Sequence, residues 1–331
     1  MAQHCDNLCQ QRFSEYPEGS LLHYWDVWSV HMLGYKTMRR NNFTPCQERC
    51  IQRKHYECSV KNWKDGDGEM YEYNGRVPIT RITIVEEIAS AFFSLASAIT
   101  VTISLLMYIK VAWRKGKGDH MPITVNGHTP SNYKSLTQRE QVAASKKDGF
   151  PFRWIVAGYL GLSTFAAYSA TLFHIKDTPM TEKMDYYSAL VALLWALYMT
   201  TLRVFWLDTM KEMLSLGTLL FLYTCYHLHY MHYIVFDYGY NMKVLVITNL
   251  TEGVLQYIWL YHSNHPNRKW LFALRTTIIL GAVFEMVDFA PVFGFIDGHA
   301  FWHLIILFMQ PLARWWFIRD AEFFTGDKKT H

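Results

Sequence analysis

Seven apolar runs, separated by polar segments, dominate the chain. They lie at about 87–112, 153–174, 185–207, 212–235, 243–262, 269–290 and 298–318. Each reaches or approaches the roughly 20 apolar residues a helix needs to cross a bilayer. Residues 1–85 are polar and carry cysteines, 113–150 form a second polar block, and 319–331 form a polar tail. The pattern predicts an all-α membrane protein: a seven-transmembrane helix bundle over 86–318 with an N-terminal cysteine-rich lumenal segment. The 113–150 block is expected as a flexible cytosolic loop and 319–331 as a cytosolic tail. Several runs contain polar residues, so the bundle is expected to have a polar interior. The mean hydropathy of -0.02 reads as soluble only because it averages these unlike parts.

Charge sets the orientation. Arg114, Lys115, Lys117, Lys134, Arg139, Lys146 and Lys147 follow the first run, and Arg268, Lys269, Arg319, Lys328 and Lys329 fall on the same side. The opposite connections hold Lys176, Lys183 and Lys243. An excess of basic residues marks cytoplasmic loops, which puts the C-terminus in the cytosol and the N-terminus in a lumen or outside. Cys5, Cys9, Cys46, Cys50 and Cys58 then face an oxidising compartment that permits disulfides, with pairing left open. Their spacing matches no common zinc finger, and Cys225 reads as a small packing residue. Asn42-Phe43-Thr44 is a glycosylation sequon on the lumenal side, weakened by Pro45. Met1 is followed by no apolar leader stretch, so either the first run acts as a reverse signal anchor or the sequence lacks its leader. Lys328 and Lys329 resemble a dilysine retrieval signal of endoplasmic reticulum membrane proteins, the alternative being a solvated charged tail.

This orientation brings four ionisable residues to one face. His174 closes the second run, Asp185 opens the third, and His299 and His303 begin the seventh, all at the lumenal side. Ionisable groups at membrane depth are costly and mark functional sites. His299 and His303 stand four apart, hence on one side of a helix, and imidazole is the commonest protein ligand of zinc. Three ligands with an open fourth position describe a catalytic zinc site. Asp185 could pass a proton to and from water at such a site, or it could simply cap the third helix. Glu285 and Asp288 could orient ligand histidines or cap a helix end. Interface placement at a helix N-terminus suffices for Glu86 and Glu87. His227, His229 and His232 read as packing or hydrogen-bonding residues, and Arg275 as a side chain snorkelling to the cytosol.

Several stretches carry a resemblance. FHIKDTPMTEKMDYYSA (173–189), FDYGYNM (236–242), FEMVDFAPVFGFIDGHAFWH (284–303) and RITIVEEIASAFFSL (81–95) resemble the post-GPI-attachment-to-proteins factor 3, or Per-like, family. That family belongs to the CREST superfamily of seven-span hydrolases, which includes alkaline ceramidases. The resemblance implies Zn2+ held by His174, His299 and His303, with Asp185 as the acid/base residue. It implies phospholipase A2-like removal of the sn-2 acyl chain from the phosphatidylinositol of GPI-anchored proteins, in the membrane of the endoplasmic reticulum or the Golgi. Expected partners are membrane lipid and GPI-anchored proteins, with no nucleic acid. The superfamily serine four residues before His174 is Ala170 here, flanked by Ser169 and Thr171. Two other readings stay open: another lipid hydrolase such as a ceramidase-like amidase, and a non-catalytic seven-span receptor or cargo-folding factor.

Overall fold

The computed structural model describes residues 85–113, 152–286 and 291–325. The cysteine-rich segment with its sequon, nearly all of the 113–150 block, Asp288 and the dilysine tail lie outside the described residues. Within them the chain forms α1 (Ile88–Ala112), α2 (Arg153–Ile175), α3 (Pro179–Phe205), α4 (Met210–His229), α5 (Tyr238–His262), α6 (Arg268–Met286) and α7 (Gly298–Thr325). A π-helical turn, Tyr230–Ile234, continues α4. By length and composition α1, α2 and α3 are long and apolar enough to cross a membrane. The seven-span expectation thus meets three such helices among the described residues. The others are diluted by charged and polar groups such as Glu252 on α5, Arg275 on α6, and Arg319 and Asp320 on α7.

The first helix, α1, is inside out by the standards of a water-soluble protein. On α1, Ser90, Ser94, Ser97 and Ser104 are buried with Ala91, Ala98 and Val101, while Phe92, Ile99 and Leu106 are exposed. Small residues recurring every three or four positions allow close helix approach, and large apolar ones are left to an apolar medium. Thr100 and Thr102 return their hydroxyls to carbonyls one turn back, at 2.8 and 2.7 Å, so neither leaves an unmet donor there.

Helix ends are closed locally. Thr178 starts α3, its hydroxyl accepting from Thr181 N–H, and Pro179 takes the first helical position, where no amide donor is missed. Asp185 therefore lies in the second turn of α3, and its reading as the cap of that helix is incorrect. At the other end Trp206 adopts φ 52, a left-handed stop that glycine usually supplies. Leu207 N–H then reaches back to Leu202 C=O at 2.9 Å. Burial of the indole, whose ring lies 5.6 Å from that of Phe152, offsets the strain. Thr209 and Glu212 form a capping box at the start of α4.

The chain divides into two compact units. The smaller contains, of the described residues, 85–94, 169–185, 283–286 and 291–304. It gathers the starts of α1, α3 and α7 with the ends of α2 and α6, while the end of α4 and the start of α5 belong to the larger unit. The larger contains 95–113, 152–168, 186–282 and 305–325, with aromatic and aliphatic cores around Tyr108, Phe152, Leu202 and Phe324 and around Trp259, Leu274 and Trp316.

Two buried ionic groups lie within the larger unit. Arg275 pairs with Glu252 at 2.6 Å and with Asn249 Oδ1 at 2.8 Å, while Glu252 accepts from Thr200 at 2.9 Å and from Gln256. Arg275 is thus a buried, paired residue, and the snorkelling expectation is overturned: an anionic partner at helix depth outweighs the reach to water. A Cβ on Gly253 would stand 3.0 Å from the guanidinium, so the glycine makes room for the pair. Arg203 grips Asp320 with two bonds of 2.5 and 2.7 Å and lies 4.5 Å over the Trp259 ring.

His265, in the α5–α6 connection, is buried beside that second pair. Its Nδ1 accepts from Asn267 N–H at 3.2 Å, which places the proton of the neutral ring on Nε2, 3.4 Å from Asp320. Burial pushes the imidazole down to about 4, against the pull of Asp320. A folded value below the ordinary 6.5 favours the neutral ring, so this contribution is complete above about pH 6.5 and is lost as pH falls toward 4. The separation corresponds to about 3 kcal/mol. His265→Gln should therefore flatten the pH dependence of thermal unfolding in detergent over that window. An equally steep dependence in the variant contradicts the assignment.

Candidate metal centre

The smaller unit brings the three predicted histidines to one point. His174 Nε2 lies 3.0 Å from His303 Nε2 and 3.3 Å from His299 Nε2, and the last two are 3.1 Å apart. They form the group among the described residues that could hold a metal ion. Zinc–imidazole bonds of about 2.0–2.1 Å at tetrahedral angles separate ligand nitrogens by about 3.3 Å, close to this triangle.

The opposite ring nitrogens decide what the triangle can hold. His174 Nδ1 lies 2.8 Å from a Glu87 carboxylate oxygen, His299 Nδ1 lies 2.7 Å from Glu285, and His303 Nδ1 lies 3.1 Å from the Ser94 hydroxyl. A carboxylate only accepts, so Nδ1 of His174 and of His299 carries the proton. The neutral rings of His174 and His299 then turn an Nε2 lone pair inward, and His303 adds a third when its Nδ1–H donates to Ser94. Three lone pairs meeting at this distance repel unless a cation or a proton lies among them. The donor set therefore fits a metal ion.

Local structure explains the arrangement. The end of α2 exposes carbonyls that lack partners. Glu87 N–H donates to His174 C=O at 3.0 Å and Glu86 N–H to Ile175 C=O at 3.2 Å. Glu87 thus holds His174 by backbone and by side chain, and Glu86 accepts from Asp177 N–H at 3.1 Å. Seven residues beyond Glu87, two turns along, Ser94 reaches His303. At the start of α7, Asp297 accepts from Ala300 N–H at 2.7 Å, and its carbonyl accepts from Phe301 N–H. Burial pushes the Asp297 carboxyl above the usual carboxylate range, with the Ala300 N–H and His299 pulling it partway back. The two α7 histidines follow one turn apart on the capped end.

Asp185 is half-buried on α3, within electrostatic reach of His174 and His299. His174 is buried, whereas the His299 side chain keeps 35% of its surface, so the cluster is open on the His299 side. Ala170, Ser169 and Thr171 are all buried. Glu285 contacts a histidine as one of its two readings foresaw. Glu87 and Ser94 were missed, although Glu87 stands at the same face by the topology that selected His174 and Asp185. His227, in the larger unit, bonds Asn241 at 3.1 Å and stacks on Tyr240.

These features define a class: a helical chain with membrane-length apolar helices and a three-histidine candidate metal site. A family model matches residues 33–321, and the chain belongs to the Per1-like family. It is 34% identical over 142 residues to Protein PER1 homolog of Schizosaccharomyces pombe, covering 41% of this chain and 43% of that one. Against GPI-specific phospholipase A2-like PGAP3 of Danio rerio it is 26% identical over 268 residues, 78% of this chain and 72% of the relative. The protein of that name from Homo sapiens is 25% identical over 268 residues, 78% and 71% of the two chains. The chain thus spans less than half of the first relative and about seven-tenths of the others. No solved structure matches.

Removing the α7 cap tests the local account. Asp297→Ala should lower stability by about 1 kcal/mol. Asp297→Asn, which keeps the acceptor and suits a site that already disfavours charge, should cost less than half of that in thermal unfolding. Equal losses would place the effect elsewhere.

Proposed function

We propose that this protein is a multi-pass membrane hydrolase that removes an acyl chain from the lipid of GPI-anchored proteins. The observation that carries the reading is the convergence of three imidazole nitrogens, two of them backed by carboxylates, in a chain of the Per1-like family. The relatives' name, GPI-specific phospholipase A2-like, supports the substrate class. In this reading all seven helices span the membrane and the histidine cluster lies at the lumenal face. The cysteine-rich 1–85 segment is lumenal, 113–150 and the tail are cytosolic, and the protein resides in the endoplasmic reticulum membrane or cycles to the Golgi. Exposed apolar side chains such as Leu214, Leu219, Phe221 and Leu222 on α4 suit a lipid surrounding.

His174, His299 and His303 would hold a zinc ion. When bound, zinc supplies Lewis-acid polarisation of an ester carbonyl and makes water acidic enough to react near neutral pH. Asp185 accepts the proton of the attacking water. Oxygen from that water joins the acyl carbon, the bond to the sn-2 oxygen breaks, and Asp185 returns the proton to the departing lipid alkoxide. Glu87 and Glu285 keep the imidazole lone pairs turned inward throughout. The open side of the cluster, next to His299, admits the ester.

Ala170 favours a second reading, a non-catalytic factor that binds zinc and GPI-anchored cargo without hydrolysis. Measurement of bound zinc and of diacyl-to-lyso conversion of GPI anchors separates the two. Single alanine substitutions of His174, His299 or His303 should abolish conversion and lose zinc. Asp185→Asn should keep zinc and lower conversion by at least about 100-fold. A wild-type protein that holds zinc but releases no fatty acid favours the second reading. Full conversion by any histidine variant removes the catalytic assignment.

A further inference from the structure

We infer that Glu87 and Glu285 are the charge-bearing positioning residues of the metal centre, and that Ser94 is a deliberately neutral third partner. This rests on the metal reading above and deepens it. Each imidazole has its own partner from outside its own helix: Glu87 just before α1, Glu285 on α6, and Ser94 on α1. Two partners are anionic and one is not. Three neutral imidazoles bring no charge, so the two contacting carboxylates are negative charges to set against a divalent ion, with Asp185 and Asp297 also within electrostatic reach.

Burial makes that match count. The Glu87 and Glu285 side chains keep 22% and 16% of their surface, and His174 keeps none. In such surroundings an uncompensated ionic charge costs far more than in water. The carboxylates hold the Nδ1–H of His174 and of His299 through charge-assisted bonds, whereas His303 meets only a hydroxyl at Nδ1. Glu87 has a further restraint, because its own N–H is bonded to the His174 carbonyl. His174 is thus fixed from two sides, and His303 has the only uncharged Nδ1 partner of the trio. Occupancy should accordingly favour divalent over monovalent cations.

The test uses the full chain in detergent, with zinc affinity read by competition against a chromophoric chelator and geometry read from the visible spectrum of bound Co(II). Glu87→Gln and Glu285→Gln keep an oxygen that accepts from Nδ1–H and remove only the charge. Each should weaken zinc binding by about 10–100-fold, with the Co(II) bands retained. Ser94→Ala should weaken it by less than either. Wild-type protein that binds neither zinc nor Co(II) sinks the metal reading itself. Binding by wild type together with affinities within threefold of it in both glutamine variants overturns this inference alone. A Ser94→Ala loss as large as the glutamine losses does the same. The two glutamates stand on different segments, so a folding failure in one variant leaves the other to decide.

Discussion

Three lone pairs aimed at one another form an arrangement that a protein must enforce. Imidazoles left alone would rotate, exchange protons or turn outward to water. Here each ring is held from behind, at Nδ1, by a group on another segment. The restraint begins at the backbone. Glu87 closes the end of α2 with its amide and the His174 ring with its carboxylate, so helix termination and ring orientation are one event. A capped α7 then presents His299 and His303 together. The geometry follows from ordinary helix-end chemistry, in which orphan carbonyls and amides take partners beside the histidine cluster.

Much of this was legible in the sequence, for reasons that differ by residue. Apolar runs located each of the seven helices, closely for α1 and α2 but several residues short at the start of α3, the start of α5 and the end of α7, where polar residues continue the helix. His-x-x-x-His announced its own geometry, since four residues make one helical turn. His174 could be joined to it only through topology, which the basic loops supplied. Glu87 was hidden because a glutamate at a helix start already has a sufficient explanation in the helix dipole. Ser94 was hidden because buried serines also line close helix contacts, as its neighbours Ser90 and Ser97 do. The start of α3 was misplaced because Thr181, Glu182 and Lys183 interrupt the apolar pattern, while Thr178 and Pro179 are stronger signals than hydropathy.

Arg275 shows the same lesson with its sign reversed. Long cationic side chains usually escape to an interface, so the sequence alone favours that outcome. Glu252 changes it, because a buried carboxylate at 2.6 Å supplies the missing countercharge. Gly253 then becomes intelligible as the residue that leaves space for the guanidinium. None of these residues predicts the pair singly. A buried ion pair between apolar helices is a property of combinations, and such combinations are what the helices encode by placing Glu252 and Gly253 side by side on α5.

Ala170 separates two things that a metal site can do. A hydroxyl one turn before His174 would be worth about 2.7–4 kcal/mol if it donated to a developing oxyanion. Nothing that holds the histidines depends on it: the restraints on the three rings come from Glu87, Glu285 and Ser94. Loss of that hydroxyl therefore affects turnover and leaves metal loading alone. Ser94 does not replace it in kind, since its oxygen is engaged at His303 Nδ1, though a hydroxyl that accepts one bond still has a proton to donate. In the proposed reading, holding the metal and stabilising the oxyanion would fall to different residues, which is why zinc content and acyl release must be measured separately to say what the site does.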